Sequence, residues 1–284
     1  MMKTILLTVL ALIAFAGNSV LCRLALNDDV IDAASFTSIR LLSGIIFLLI
    51  LVAIRTKGEV NLKNGNWLSA VLLFLYAIAF SYSYISLDTG IGALILFGTV
   101  QVTMIMAGFL KGHRLTLIEW LGLFIAFSGL IVLLMPGASA PSLLGFGLMV
   151  ISGIAWALYT LAGKGAKNPL LDTANNFLRT LPFVLLLTVL TFNNAQISNQ
   201  GIFLAILSGS VTSGLGYAIW YSALAGLHVT QAAIIQLTVP IIAAIGGLLF
   251  SNEVITSKLI ISSMLVLGGV LLVIVGKKKM EKST

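Results

Sequence analysis

Apolar residues run along the chain in ten blocks separated by short polar intervals. A helix needs roughly 20 apolar residues to cross a hydrocarbon core, and the blocks have about that length. The pattern predicts helices over Thr4–Leu21, Ala34–Ile54, Trp67–Leu87, Ile91–Leu110 and Leu117–Met135. Five more are predicted over Leu143–Ala162, Thr173–Phe192, Ile202–Leu224, Gln231–Phe250 and Leu259–Gly276. The least distinct boundary is between helices 3 and 4, where only Asp88, Thr89 and Gly90 make the turn.

Composition removes the soluble alternative. Of 284 residues, 59% are apolar and 9% charged, and mean hydropathy is +1.12. A soluble domain is about 25% charged, so this chain could not cover a water-facing surface and lipid is the environment that fits. The single cysteine, Cys22, excludes an internal disulfide. His113 and His228 are the only histidines, so neither a metal centre nor a cofactor is expected. The net charge of +7 suggests nucleic acid only until it is mapped, because the basic residues sit in loops and the tail, as membrane topology demands.

The opening MMKTILLTVLALIAFAG could pass for a secretory signal, with Lys3, an apolar run and Ala14-Phe15-Ala16 as a cleavage site. Cleavage would remove helix 1 and leave helix 6 without its repeat partner, so retention is expected. Orientation follows from the basic residues. With the N-terminus inside, twelve of the sixteen fall in inner segments, and only Arg23 and Lys258 in outer ones; Arg40 and Arg179 lie within helices. Both termini are therefore expected in the cytoplasm of a multi-pass protein of the cell (inner) membrane.

Similarity recurs at an offset of about 140 residues. Asp32 and Arg40 in helix 2 match Asp172 and Arg179 in helix 7, and ALILFGTVQ (93–101) matches AAIIQLTVP (232–240). Thr116 with Ser128-Gly129 matches Thr256 with Gly268-Gly269. Five helices per unit is an odd number, so the second unit must cross the membrane upside down. Loop charges agree: Arg55, Lys57 and Lys63 have no basic counterpart in FNNAQISNQ, and basic GHRLT is matched by SNEVIT with Glu253. Inverted repeats are a common plan of secondary transporters, with the substrate site between the halves. The expected division is 1–140 and 141–276 for the repeats and 277–284 for a basic cytoplasmic tail.

These residues resemble the drug/metabolite transporter superfamily, specifically its ten-helix EamA-type exporters. The likeness rests on FAGNSVLCRLAL in helix 1, SFTSIRLLSG in helix 2, ALILFGTVQ in helix 4, WALYTLAGKGA in helix 6, and LTVPIIAAIGGLLFSNEVIT across helix 9 and its loop. It covers nearly the whole chain. The resemblance implies an all-α membrane protein of two inverted five-helix repeats around a central cavity, with helices 5 and 10 peripheral. One departure is Gln101, which stands where the second half has Pro240.

Several residues are candidates for substrate contact. Arg40 and Arg179 each lie about 9 Å into their helices at 1.5 Å per residue, at opposite mouths. One reading has them snorkelling to the interface, paired with Asp32 and Asp172; the other has them capture a substrate carboxylate or gate a vestibule. Pro240 lacks an N–H and frees the carbonyl of Gln236. Unpaired polar groups at mid-membrane need protein, water or substrate, so Gln101, Gln236 and Pro240 are expected to line a cavity, the bland alternative being a packed kink. Tyr82, Tyr84, Trp156, Tyr159 and Trp220, with Asn18, fall at helical spacings on the cavity helices, although aromatic residues in membranes more often pack or mark the interface. Gly122 and Ala126 indicate close helix packing, within the chain or in a homodimer.

No catalytic constellation, phosphate loop or pore filter is recognisable. The chain reads as a non-enzymatic secondary transporter that moves a small metabolite, an amino acid or related compound, by alternating access in the export direction. Its partners are the substrate and the lipid bilayer, with no nucleic acid. Efflux of apolar cations, or a polytopic membrane enzyme, is the competing reading. Every acidic residue lies in a loop, the tail or near a helix end, so obligatory proton coupling is not expected.

Overall fold

The computed structural model describes residues 2–27, 30–55, 65–110, 112, 115–136, 140–163, 166, 168–224, 227 and 235–281. They form helices and connections, with no strand beyond a single bridge between Ile31 and Ile197. Nine described segments are long and apolar enough to cross a membrane, and Val239–Phe250 is a shorter apolar helix. Their outward faces carry exposed Ile46, Phe124, Leu190 and Met264, which water would not tolerate in such number. The chain is a multi-pass membrane protein.

The first half contains α1 (Met2–Leu26), α2 (Ala33–Arg55), α3 (Trp67–Tyr84), α4 (Thr89–Leu110) and α5 (Leu117–Leu134). Polar side chains start these helices where backbone N–H groups lack partners. Asn66 accepts from Ser69 N at 2.7 Å. Thr116 and Glu119 form a capping box before α5, which gives the buried Glu119 a structural task. Asp32 accepts from Ser35 N and Gln196 N, both at 2.9 Å. It therefore caps α2 and holds the 192–198 connection, and does not pair with Arg40.

In the second half α6 spans Leu143–Ala162. The predicted seventh helix is two pieces, α7 (Pro169–Leu178) and α8 (Leu181–Thr191), with a turn at Arg179–Thr180. Pro182 supplies no N–H, and the Thr180 carbonyl accepts from both Phe183 and Val184, so the helix restarts there. Arg179 is thus the last turn of a short helix and not an interior position. The eighth crossing runs α9 (Asn199–Leu207), a π-helical stretch Ser208–Leu215, and α10 (Gly216–Leu224). Two glycines and back-bonding hydroxyls, with Thr212 donating to the Ser208 carbonyl at 2.9 Å, weaken ordinary α pairing there. Of the ninth predicted helix, 231–234 lie outside the described residues. A turn at Leu237–Thr238 precedes α11 (Val239–Phe250), whose second residue is Pro240, and α12 (Ser257–Glu281) is the last described helix. Lys57, Lys63, Lys111, Arg114, Lys164, Lys167 and Lys282, on which the orientation largely rests, also lie outside the described residues.

The packing follows one scheme. α3 packs on α6, as α1 packs on α10; α4 packs on α6, as α1 packs on α11; α4 meets α11, and α5 meets α12. In the last pair a Cβ on Gly122 would stand 2.6 Å from the Gly269 carbonyl, and one on Gly269 2.5 Å from Ala126 N. The Gly122/Ala126 stripe is therefore taken up within the chain by α12.

Candidate functional site

The middle of the bundle holds a small chamber of about 10 Å³, room for about one water. Phe15 and Asn18 of α1, Tyr76 and Phe80 of α3, Leu96 and Phe97 of α4, Trp156 of α6 and Tyr217 of α10 line it. The rings form a continuous set. Trp156 lies 4.9 Å from Tyr76 and 4.8 Å from Tyr217, and Phe15 lies 6.0 Å from Tyr217. Tyr217 follows Tyr76 by 141 residues, and Trp156 follows Phe15 by the same interval.

One arginine adjoins this chamber, behind Tyr76 and Phe80 of its lining. Arg40 is only 1% exposed, so it is an interior residue and does not snorkel. Its guanidinium lies 5.0 Å from the Phe80 ring centre and 5.4 Å from that of Tyr76, within cation–π range. Nε donates to Ser213 Oγ and Nη2 to the Tyr76 hydroxyl, both at 3.3 Å. Nη1 is buried without a partner. Among the described residues no carboxylate lies within ion-pair distance of Arg40. An arginine cannot relieve this by losing its proton.

Asn18 ties the same assembly to the π-helical stretch. Its Oδ1 accepts from Ser208 at 2.7 Å and Thr212 at 3.1 Å, and its Nδ2 donates to Tyr76 at 3.3 Å. The close approach of α2 to this stretch depends on Gly209, because a Cβ there would stand 2.0 Å from the Arg40 carbonyl oxygen.

Other candidates lie at varying distance from the chamber. Trp156 lines it, and Tyr159 and Trp220, both buried, adjoin it through ring contacts with Trp156 and Phe15 respectively. Gln101 is buried one turn beyond Phe97 on the same face of α4. Gln236 and Pro240 stand at the broken start of α11, with Pro240 buried and Gln236 half-buried. Tyr82, 37% exposed, points away from the centre. Tyr84 is buried at the end of α3, donating to the Thr89 carbonyl at 3.3 Å. Arg179, half-buried, donates to the Asn175 carbonyl at 3.3 Å. It stands beside Gly65, at the end of the bundle where α1 begins. Arg40 and Arg179 are thus matched in sequence and unlike in placement. Phe15, Tyr76, Ser208, Thr212 and Ser213 are chamber or support residues that the sequence reading did not select. The four-residue spacing of Tyr76, Phe80 and Tyr84 is the signal that could have found the first of the hydroxyl groups.

The two ends of the bundle differ. Where α1 begins, a groove of about 660 Å³ runs among Leu7, Leu51, Arg55, Leu171, Ile219 and Tyr221. At the opposite end Arg23 bonds Glu253 at 3.3 Å and Asp88 at 3.4 Å. Glu253 also accepts from Thr89 N and Thr89 Oγ1, each at 2.9 Å. These contacts join α1, the α3–α4 turn and the α11–α12 connection, and so close that end across the two halves.

Comparison with known proteins gives consistent matches. The sequence model of the EamA-like transporter family matches residues 2–135 and, separately, 143–275. A Pseudomonas aeruginosa protein, PA1977, is 50% identical over 96% of this chain and 94% of its own length. An Archaeoglobus fulgidus protein described as an uncharacterized transporter is 26% identical, over 88% of this chain and 90% of its own. Bacillus subtilis YoaV, with the same description, is 19% identical over 83% and 85%. A solved crystal structure shares the fold at a TM-score of 0.68 and 16% identity, covering 95% of this chain and 96% of that one.

Proposed function

The chain belongs to the EamA-like transporter family, and on that premise we propose that it exports a small carboxylate-bearing metabolite, in the class of amino acids and related compounds, through the chamber beside Arg40. The observation that carries this reading is a fully buried guanidinium with one unpartnered donor and no acidic partner among the described residues. A buried charge is costly unless it is paired, and a substrate carboxylate supplies the missing partner. An apolar cation would meet repulsion in the same place.

Alternating access between inverted halves accounts for the rest. The paired helix contacts related by five helices support it, as do the aromatic pairs related by 141 residues. One end of the bundle is tied by Arg23 and Glu253, and the other has the groove; such asymmetry fits a carrier closed on one side. The charge bias of the loops supports cytoplasmic termini in the inner membrane. The described acidic side chains Asp32, Asp88, Glu119, Asp172 and Glu253 sit in connections or first turns, so movement is driven by the substrate gradient without obligatory proton exchange. Uptake and efflux in proteoliposomes, over an amino-acid panel with a few quaternary amines, test the proposal. Arg40-dependent flux of carboxylates is expected, and flux of the amines alone would contradict it.

A further inference from the structure

Charge accounting in the chamber narrows the substrate further, taking as given that Arg40 binds a carboxylate. We propose that the site is built for a monoanion with no ammonium group, such as a 2-oxo acid or an aromatic acid, in preference to the zwitterionic amino acid of the same skeleton.

Donors and acceptors around the chamber are unequal. Asn18 Oδ1 accepts from Ser208 and Thr212, and the Tyr76 oxygen accepts from Asn18 and Arg40. The acceptors of Asn18 and Tyr76 are therefore already engaged, which leaves no charged acceptor among the described residues of the chamber lining. One donor, Arg40 Nη1, is buried without a partner, and the Tyr217 hydroxyl, one turn beyond Ser213, faces Ser213 and Tyr76, which hold the rest of the Arg40 guanidinium. A carboxylate can accept from Nη1 and neutralise the guanidinium. An ammonium needs acceptors or a counter-charge. The acids Asp32, Asp88, Glu119 and Glu253 are committed to caps and to the Arg23 cluster. Asp172, in the first turn of α7, is not part of the chamber lining. Among the lining rings, Tyr76 and Phe80 already carry the guanidinium, whose charge repels a second cation.

A bound monoanion neutralises Arg40, whereas a zwitterion leaves the chamber with its full positive charge. The loaded carrier then changes state with less unpaired buried charge than the empty one, so exchange outpaces net efflux.

The test uses the full chain in proteoliposomes with phenylpyruvate and phenylalanine, which share ring and carboxylate and differ in the oxo and ammonium groups. Phenylpyruvate flux should exceed phenylalanine flux by about tenfold or more, because the ammonium of phenylalanine would be buried without an acceptor. Unlabelled phenylpyruvate on the far side should accelerate efflux, and both effects should vanish in Arg40→Gln. Arg40→Lys, which keeps the charge, guards against a folding defect. Phenylalanine carried equally fast and still dependent on Arg40 would overturn the monoanion inference and leave carboxylate capture standing. Flux independent of Arg40 would remove both. If neither ring compound moves, pyruvate and alanine are compared in the same way, and failure to carry pyruvate counts against the proposal.

Discussion

Asn18 on α1 and Arg40 on α2 donate to the same oxygen, the Tyr76 hydroxyl, each across 3.3 Å. Three helices of the first half are joined at that atom, and Ser208, Thr212 and Ser213 extend the network into the second half. Any shift of one half against the other must rearrange these bonds.

Tyr76→Phe keeps the ring and removes the shared acceptor. Two buried donors lose their partner, at a cost of about 1–3 kcal/mol. A lower melting temperature in detergent and weaker substrate flux are expected; an unchanged melt with unchanged flux would show that the hydroxyl is idle.

Gly209→Ala should be among the most damaging small substitutions. Its methyl group would meet the Arg40 carbonyl oxygen and Ser43 Oγ at about 2 Å, and relief requires separating α2 from the π-helical stretch, with overpacking costs of about 1–3 kcal/mol. Gly17→Ala is the control, since its methyl group would make an ordinary 3.6 Å contact with Thr212 and should leave stability unchanged or raise it by up to about 1 kcal/mol. Melting temperatures of the two variants distinguish the sites.

Glu253 gives a pH prediction. Burial raises its carboxyl above the usual range, against the hydrogen bonds from Thr89 and the Arg23 charge. The folded chain therefore holds a proton that the unfolded chain releases between the two values. This contribution to stability is full below the ordinary glutamate value of about 4.3, and it is lost as pH rises through the raised one. The melting temperature of wild type relative to Glu253→Gln should fall as pH rises over the mildly acidic range. Parallel curves for the two proteins would contradict it.

Much of the fold was legible because lipid leaves few alternatives: ten apolar blocks had to become crossings, and nine described segments have the required length. The breaks were not. Pro182 and Pro240 were visible, but the restart at Leu181 and the turn at Leu237–Thr238 depend on which carbonyls find partners, a tertiary outcome. The chamber was half legible. Trp156 and Asn18 are there, whereas Arg40 and Arg179 look equivalent in sequence and only packing separates a buried guanidinium from one at the bundle's edge. Tyr82 and Tyr84, two residues apart, fall on opposite faces of α3, a distinction that a list of aromatic positions cannot make.

Topology can be checked by labelling with a membrane-impermeant maleimide in intact cells, because the native Cys22 is buried. Cysteines at the exposed positions Phe192 and Val254 should react from outside. One at Leu117, also exposed, should react only after permeabilisation. Reaction of Leu117→Cys in intact cells would reverse the assigned orientation.

The most direct test of the central claim is carboxylate flux in proteoliposomes carrying Arg40→Gln, set beside Arg179→Gln. With both variants folded, flux should be lost in Arg40→Gln and retained, at reduced rate at most, in Arg179→Gln. Wild-type flux in Arg40→Gln would contradict the account.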